Sequence, residues 1–171
     1  DTVVVFAQGP IGLCATAGAR LLGATTIIAV DGNDHRLGIA QKMGADVTLN
    51  FKNCDVIDEI MKITGGRGAD SAIEALGTQA TFESALRCIK PGGTLSSLGV
   101  YSEDLKIPLS AFAAGLGDHK INTALCPGGK ERMRRLMNVL ASNRLDLGLL
   151  ATHQYKLDDP VAPYDLFAHQ R

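Results

Sequence analysis

Two glycines three residues apart, Gly9 and Gly12 in Ala7-Gln8-Gly9-Pro10-Ile11-Gly12, follow an apolar run at the start of the chain. A carboxylate, Asp31, comes 19 residues after Gly12 and closes the next apolar run. A turn of this kind leaves backbone bare, so that an anion can approach the main chain. It also lets the following helix pack close to its strand. A helix opening near Ile11 would aim its free N–H groups and positive end at that anion. Asp31 is placed to accept hydrogen bonds from ribose hydroxyls and to repel a phosphate at the ribose 2′ position. The chemistry that these residues suit is the binding of a dinucleotide pyrophosphate and its adenosine. The full fingerprint has three glycines, G-x-G-x-x-G, and Ala7 stands at the first. Ala7 is therefore expected to keep a negative φ, with the turn slightly altered. The plainer alternative is a glycine turn followed by a helix-capping aspartate. It leaves the common register of strand, turn, helix and acid without a reason.

No other constellation suits chemistry. Gly128-Gly129-Lys130 is followed by Glu131 and lacks the upstream glycine of a phosphate loop, and no G-x-S-x-G elbow occurs. His35, His119, His153 and His169 include no pair at H-x-x-x-H spacing, so they read as surface or satisfied residues rather than ligands. Cys14, Cys54, Cys88 and Cys126 lie 40, 34 and 38 residues apart. That is no metal-clip spacing, and free thiols in a reducing cytosol are expected. No catalytic and no metal-ligating residue is assigned.

The elements that must position the turn alternate. Thr2 to Ala7 is a β-branched run suited to a strand buried on both faces, and the Ala- and Leu-rich stretch from Ile11 to Leu22 suits a helix ended by Gly23. Thr25 to Val30 is a second strand. Asn33 or Asp34 caps a helix to Met43, Val47–Asn50 is a third strand, and Val56–Ile63 is a helix. Ser71 to Glu74 is a fourth strand, and Thr78 caps a helix carrying Phe82, Ala85, Leu86 and Ile89 on one face. Thr94–Val100 and Lys120–Leu125 read as the fifth and sixth strands, with a short helix near Ser110 to Ala114 between them. Met133, Leu136, Met137 and Leu140 keep helical spacing. From Leu145 the periodicity fades, and Pro160 and Pro163 leave a last helix undefined. Six rounds of alternation demand parallel pairing through right-handed crossovers. The expected fold is a doubly wound α/β Rossmann sheet of six parallel strands in the order 3-2-1-4-5-6, one domain over residues 1–171.

Composition bounds the rest. Of 171 residues 46% are hydrophobic and 20% charged, as in a globular chain with a two-sided core. Seventeen basic against eighteen acidic residues give a net charge of -1, which argues against nucleic acid or an anionic membrane as partner. No apolar run is long enough to cross a bilayer. The apolar stretch from Thr2 to Gly23 lacks a cationic start and is broken by Gly9-Pro10, so it does not suit a signal peptide. A cytoplasmic protein is expected, and the chain reads as a piece of a longer one.

In order and spacing the motifs resemble the coenzyme domain of the zinc-dependent, medium-chain alcohol dehydrogenases. The stretches that carry the resemblance are Val3 to Leu13, Lys42-Met43-Gly44-Ala45-Asp46, Gly68-Ala69-Asp70, Glu74-Ala75-Leu76-Gly77, Lys90-Pro91-Gly92-Gly93 and Leu98-Gly99-Val100. Cys126-Pro127-Gly128-Gly129 and Ala151-Thr152-His153 look like the secondary-alcohol branch. The resemblance spans essentially the whole chain and implies roles. Gly9 to Gly12 would take the pyrophosphate, with Pro10 and Ile11 along it and behind the nicotinamide. Asp31 and Arg36 would hold the adenine ribose, and Ala75 and Leu76 would flank the adenine side. Leu98, Gly99 and Val100 would approach the nicotinamide ribose and ring, and Ala124 and Leu125 its carboxamide.

The resemblance also implies NAD as cofactor, a small alcohol or ketone as substrate, and pairing of two copies through the sixth strand. NADP-dependent members of the secondary-alcohol branch carry a small residue where this chain has Asp31, so NAD is expected over NADP. The zinc that would polarise the alcohol oxygen has its ligands in a preceding catalytic domain, and the final strand that returns to that domain is also outside this chain. The piece alone is expected to be inactive. A zinc-free quinone-type reductase, a non-catalytic NAD sensor and, with a poorer match to the later motifs, a methyltransferase are the competing readings.

Overall fold

The computed structural model of the chain describes residues 1–169. Its first half follows the β-branched runs closely. Strand β1 is Thr2–Phe6, helix α1 Pro10–Leu21, strand β2 Thr26–Asp31 and helix α2 Asp34–Lys42. Strand β3 is Val47–Asn50, helix α3 Val56–Ile63, strand β4 Ala69–Glu74 and helix α4 Gln79–Cys88. Side-chain oxygens start three of these helices. Asn33 accepts from the N–H groups of His35 and Arg36, Asp55 from Asp58, and Thr78 from Thr81.

Six strands form one sheet in the order β3-β2-β1-β4-β5-β6, every neighbouring pair parallel, as the alternation predicts. Val3 pairs with Ile27 on one side and Ser71 on the other, so β1 lies in the middle of the sheet. The sheet divides two apolar cores. Val4, Phe6, Ile28 and Val30 face Ile60, Phe82 and Leu86 of α3 and α4. Ile27 and Ala29 face Leu13, Ala17, Ile39 and Ala40 of α1 and α2. Burying side chains such as Ile27 and Ile28 is worth about 1.5–3 kcal/mol each, which is why β1 and β2 carry polar residues only at their ends.

The second half departs from the sequence reading in several places. Strand β5 is Ile89–Ser97 rather than Thr94–Val100. Ile89 already pairs with Ala69, the register shifts through the Pro91-Gly92-Gly93 turn, and regular pairing resumes at Ser71 with Thr94. Leu98 to Val100 therefore lie beyond the strand. Strand β6, Lys120–Thr123, ends two residues before Leu125, so Ala124 and Leu125 belong to the following loop. In place of a helix near Ser110 there is a 3₁₀ turn at Ala113–Gly115.

Helix α5, Lys130–Ala141, forms where the spacing places it, yet its Met133, Leu136 and Met137 lie half exposed. A last helix, α6, does form at Val161–Ala168. Pro160 sits at its N-cap and Pro163 in its first turn, where a missing N–H costs nothing. Another 3₁₀ turn, Leu147–Leu150, packs back against the core of α1 and α2.

Ala7 is the sharpest correction. It has a φ of 70° rather than the expected negative value, which places a residue with a Cβ where glycine is normally required. The turn thus keeps the shape of a glycine turn, and Ala7 bears the strain.

Candidate functional site

Helices and strands meet at the carboxyl ends of β1 and β4, where the strand order reverses. α/β sheets bind ligands in the crevice at this point. The chain leaves β1 through Ala7, whose N–H donates to the Val30 carbonyl at 2.8 Å. Its own carbonyl then turns under α1. A Cβ on Gly12 would stand 1.7 Å from the Ala7 oxygen, so only glycine lets helix and turn touch here. Gly9 differs, because a Cβ built on it meets nothing within 4 Å. Gly9 is the N-cap of α1 and Pro10 its first residue. Pro10 has no N–H, and the next N–H groups, those of Ile11 and Gly12, have no acceptor within the helix. Open space, bare backbone and a helix N-terminus therefore coincide at Gly9 to Gly12.

A buried network fixes this turn. The Gln8 N–H donates to Asp31 Oδ2 at 2.6 Å, and the Gln8 side chain is fully buried. Its Nε2 donates to the Val5 carbonyl at 3.0 Å, and its Oε1 accepts from the Thr16 hydroxyl at 2.9 Å. The other oxygen of Asp31, Oδ1, accepts from the Asn33 N–H at 2.9 Å. Each carboxylate oxygen thus holds one backbone donor and keeps acceptor capacity for another.

A cavity of about 700 Å³ opens beside Asp31, between the end of β2 and the start of α4. Arg36, Phe51 and Lys52 line one side of it, and Leu76, Thr78 and Thr81 the other. Its dimensions and lining are those of a small-molecule site: apolar surface with a few placed polar groups.

Across the switch point, Glu74 ends β4 fully buried, and among the described residues no cation pairs with it. Its Oε1 accepts from the N–H groups of Leu76 and Gly77 and from the Thr81 hydroxyl, all at 2.8 Å. Its Oε2 accepts from the Tyr101 hydroxyl at 2.7 Å. Burial pushes this carboxyl up, but the donors from Gly77, Tyr101, Thr81 and Leu76 together outweigh it and hold the group below its ordinary value. Gly77 has a φ of 95°, and its Cβ position would clash with Val100 backbone. The loops after β4 and β5 therefore lie against each other.

The structure gathers most residues singled out from the sequence around this crevice. Asp31 and Arg36 line its β2 side and Leu76 its β4 side, and Gly9, Pro10, Ile11 and Gly12 form the turn and helix start that follow β1. The Ala75 N–H bonds the Phe6 carbonyl at 3.1 Å, directly behind the turn. Leu98 donates to the Glu74 carbonyl at 2.8 Å, and Gly99 packs on Gly77. Ala124 and Leu125 stand apart, exposed past the end of β6, two strands from β4. Sequence reasoning missed Gln8, Thr81 and Tyr101, and it gave Glu74 no role. The only local signal for Glu74 was an acid at the end of a buried strand just before Gly77. Among the described residues, no group of three or more His, Cys, Asp or Glu side chains could hold a metal ion. No helix among them is long and apolar enough to cross a membrane.

Comparison with known proteins agrees with this geometry. A family model described as zinc-binding dehydrogenase matches residues 10–142. An alcohol dehydrogenase of Cupriavidus necator is 82% identical over 171 residues, covering 100% of this chain and 47% of that protein. An NADP-dependent isopropanol dehydrogenase of Entamoeba histolytica is 38% identical over 158 residues, covering 91% of this chain and 43% of its own length. Among solved structures, the alcohol dehydrogenase TADH from Thermus sp. ATN1 superposes with a TM-score of 0.89 at 30% identity, covering 99% of this chain and 48% of that one. The chain thus spans a little under half the length of these relatives.

Proposed function

The chain belongs to the zinc-binding dehydrogenase family, and from that premise we propose that it is the cofactor domain of a zinc-dependent enzyme that moves a hydride between a secondary alcohol and NAD. The observation that carries the reading is the meeting, at one crevice, of open backbone at Gly9 with the Asp31 carboxylate. A pyrophosphate fits against Gly9 to Gly12 because no side chain occupies that space and the α1 N-terminus offers N–H groups and positive potential. Asp31 and Arg36 would then take the adenine ribose, with Ala75 and Leu76 beside the adenine. Leu98, Gly99 and Val100 would approach the nicotinamide half, and Ala124 and Leu125 its carboxamide.

When bound, nicotinamide supplies the two-electron chemistry. The residues of this chain bind it, orient it and hold one edge of it away from water. The relatives include NADP-dependent isopropanol dehydrogenases. NAD is proposed here because a 2′-phosphate would lie against the Asp31 carboxylate. Zinc ligands are proposed to lie outside this chain, in a catalytic domain that precedes residues 1–171 in the full enzyme. The competing readings, a zinc-free reductase and a non-catalytic sensor, draw no support from these relatives.

Two copies are proposed to pair through β6. All four residues of that edge strand are exposed, and only Lys120 carries a charge to discourage pairing. The function is tested by metal analysis and by supplying NAD with secondary alcohols. This chain alone should hold no stoichiometric zinc and produce no NADH, whereas the enzyme that contains its catalytic half should hold zinc and produce NADH. Steady NADH production by this chain alone would contradict the proposal.

A further inference from the structure

Glu74 is a buried carboxylate to which the cofactor reading above gives no contact with the cofactor. Taking a charge out of water is costly, and among the described residues no Lys or Arg pairs with it. What it holds is divided between the two halves of the crevice. Oε1 holds the Leu76–Gly77 turn and Thr81, which form the wall of the adenosine cavity. Oε2 holds the Tyr101 hydroxyl, which lies 2.7 Å from the Ser97 hydroxyl at the end of β5. Between Ser97 and Tyr101 lie only Leu98, Gly99 and Val100, the residues on the nicotinamide side. A Cβ on Gly99 would come within 2.5 Å of Glu74 Oε2, so this segment passes directly over the carboxylate.

We propose that Glu74 is a positioning residue: through Tyr101 it fixes the Leu98–Val100 segment against the Gly77 turn and so sets the nicotinamide side of the crevice relative to its adenosine side. The inference rests on the cofactor reading given above. The carboxylate accepts from two N–H groups and two hydroxyls at once. A glutamine in its place loses the charge that strengthens these bonds, and its NH₂ group can only donate, so the Tyr101 hydroxyl would have to reverse and accept. Tyr101 meets Glu74 through Oε2 alone, whereas Oε1 holds the Leu76–Gly77 turn. Its ring rests edge-on against Phe82, with centroids 6.0 Å apart, and phenylalanine preserves that contact. Tyr101→Phe therefore removes the hydrogen bonds to Glu74 Oε2 and to the Ser97 hydroxyl and leaves the Oε1 contacts of the adenosine wall intact.

The test is calorimetric titration of the chain and of its Tyr101→Phe and Glu74→Gln variants with ADP-ribose and with NADH, thermal unfolding confirming that each variant is folded. The unmodified chain should prefer NADH. Tyr101→Phe should keep its ADP-ribose affinity within about twofold and lose about tenfold for NADH, the equivalent of one hydrogen bond to a charged group. Glu74→Gln should weaken both ligands; an unchanged NADH affinity in it would overturn the proposal, and if it fails to fold, Tyr101→Phe decides alone. Equal loss for both ligands in Tyr101→Phe, an unchanged NADH affinity, or no preference for NADH in the unmodified chain would overturn the proposal while leaving the cofactor reading intact. Failure of the unmodified chain to bind ADP-ribose would overturn both.

Discussion

The backbone N–H of Gln8 donates to Asp31 Oδ2 at 2.6 Å, which ties the glycine turn after β1 to the acid at the end of β2. The carboxylate proposed to read the ribose therefore also holds the turn proposed to cradle the pyrophosphate. Recognition of one half of the cofactor and the shape that receives the other are not separable at this residue.

The two glycines of the turn should respond in opposite ways. Gly12→Ala would place a methyl carbon 1.7 Å from the Ala7 carbonyl oxygen, and backbone must move to relieve it. A loss of about 3 kcal/mol or more in denaturant unfolding is expected. Gly9→Ala meets nothing and has a backbone, φ -72° and ψ -175°, that alanine adopts freely. Its stability should stay within about 0.5 kcal/mol, while dinucleotide affinity falls because the methyl occupies the space proposed for the pyrophosphate.

Ala7→Gly should stabilise the chain. A left-handed alanine costs about 1–2 kcal/mol, and the greater freedom of glycine in the unfolded chain returns about 0.5–1 kcal/mol of that. A net gain of about 0.5–1 kcal/mol in urea unfolding is expected. A net loss would mean that the Ala7 methyl packs more favourably in the crevice than its partial exposure suggests.

Acid should unfold the protein partly through Glu74. Its carboxyl is held below its ordinary 4.5 in the folded chain, so the unfolded chain binds protons first as the pH falls. The stability it contributes is complete above about pH 4.5 and is lost as the pH drops through the folded value. Asp70 adds to the same slope, held down by the Lys90 ammonium and by the Thr2 N–H, as does Asp46, where burial is outweighed by Arg20 and the Ile27 N–H. Glu74→Gln should be less stable than the unmodified chain at pH 7, with a gap that narrows toward pH 3. A gap independent of pH, followed by circular dichroism, would contradict this account.

The sheet order and the Gly9–Gly12 turn with Asp31 were legible in the sequence because each is a local pattern. Buried strands are β-branched runs, helix starts carry Asn33 and Thr78, and the acid follows its turn at a fixed spacing. What was not legible depends on contacts distant along the chain. Glu74 meets Tyr101, 27 residues away, through a turn shaped by Gly77. Gln8 is buried because Thr16, two turns along α1, presents a hydroxyl to it. The φ of Ala7 is imposed by the Val30 carbonyl on one side and the close approach of Gly12 on the other, which override the preference of alanine. The late helix α6 stayed undefined in the sequence because Pro160 and Pro163 read as breakers, yet both fall where a helix tolerates them.

The most direct test of the central claim is titration of NAD and NADP into the purified chain, with Asp31→Gly in parallel. The account predicts saturable binding of one NAD per chain, displaced by AMP, with NADP at least about tenfold weaker because a 2′-phosphate would meet the Asp31 carboxylate. Asp31→Gly should weaken NAD and narrow the gap between the two cofactors. No binding of either, or NADP bound more tightly than NAD by the unmodified chain, would contradict the role given to Asp31 and to the crevice it closes.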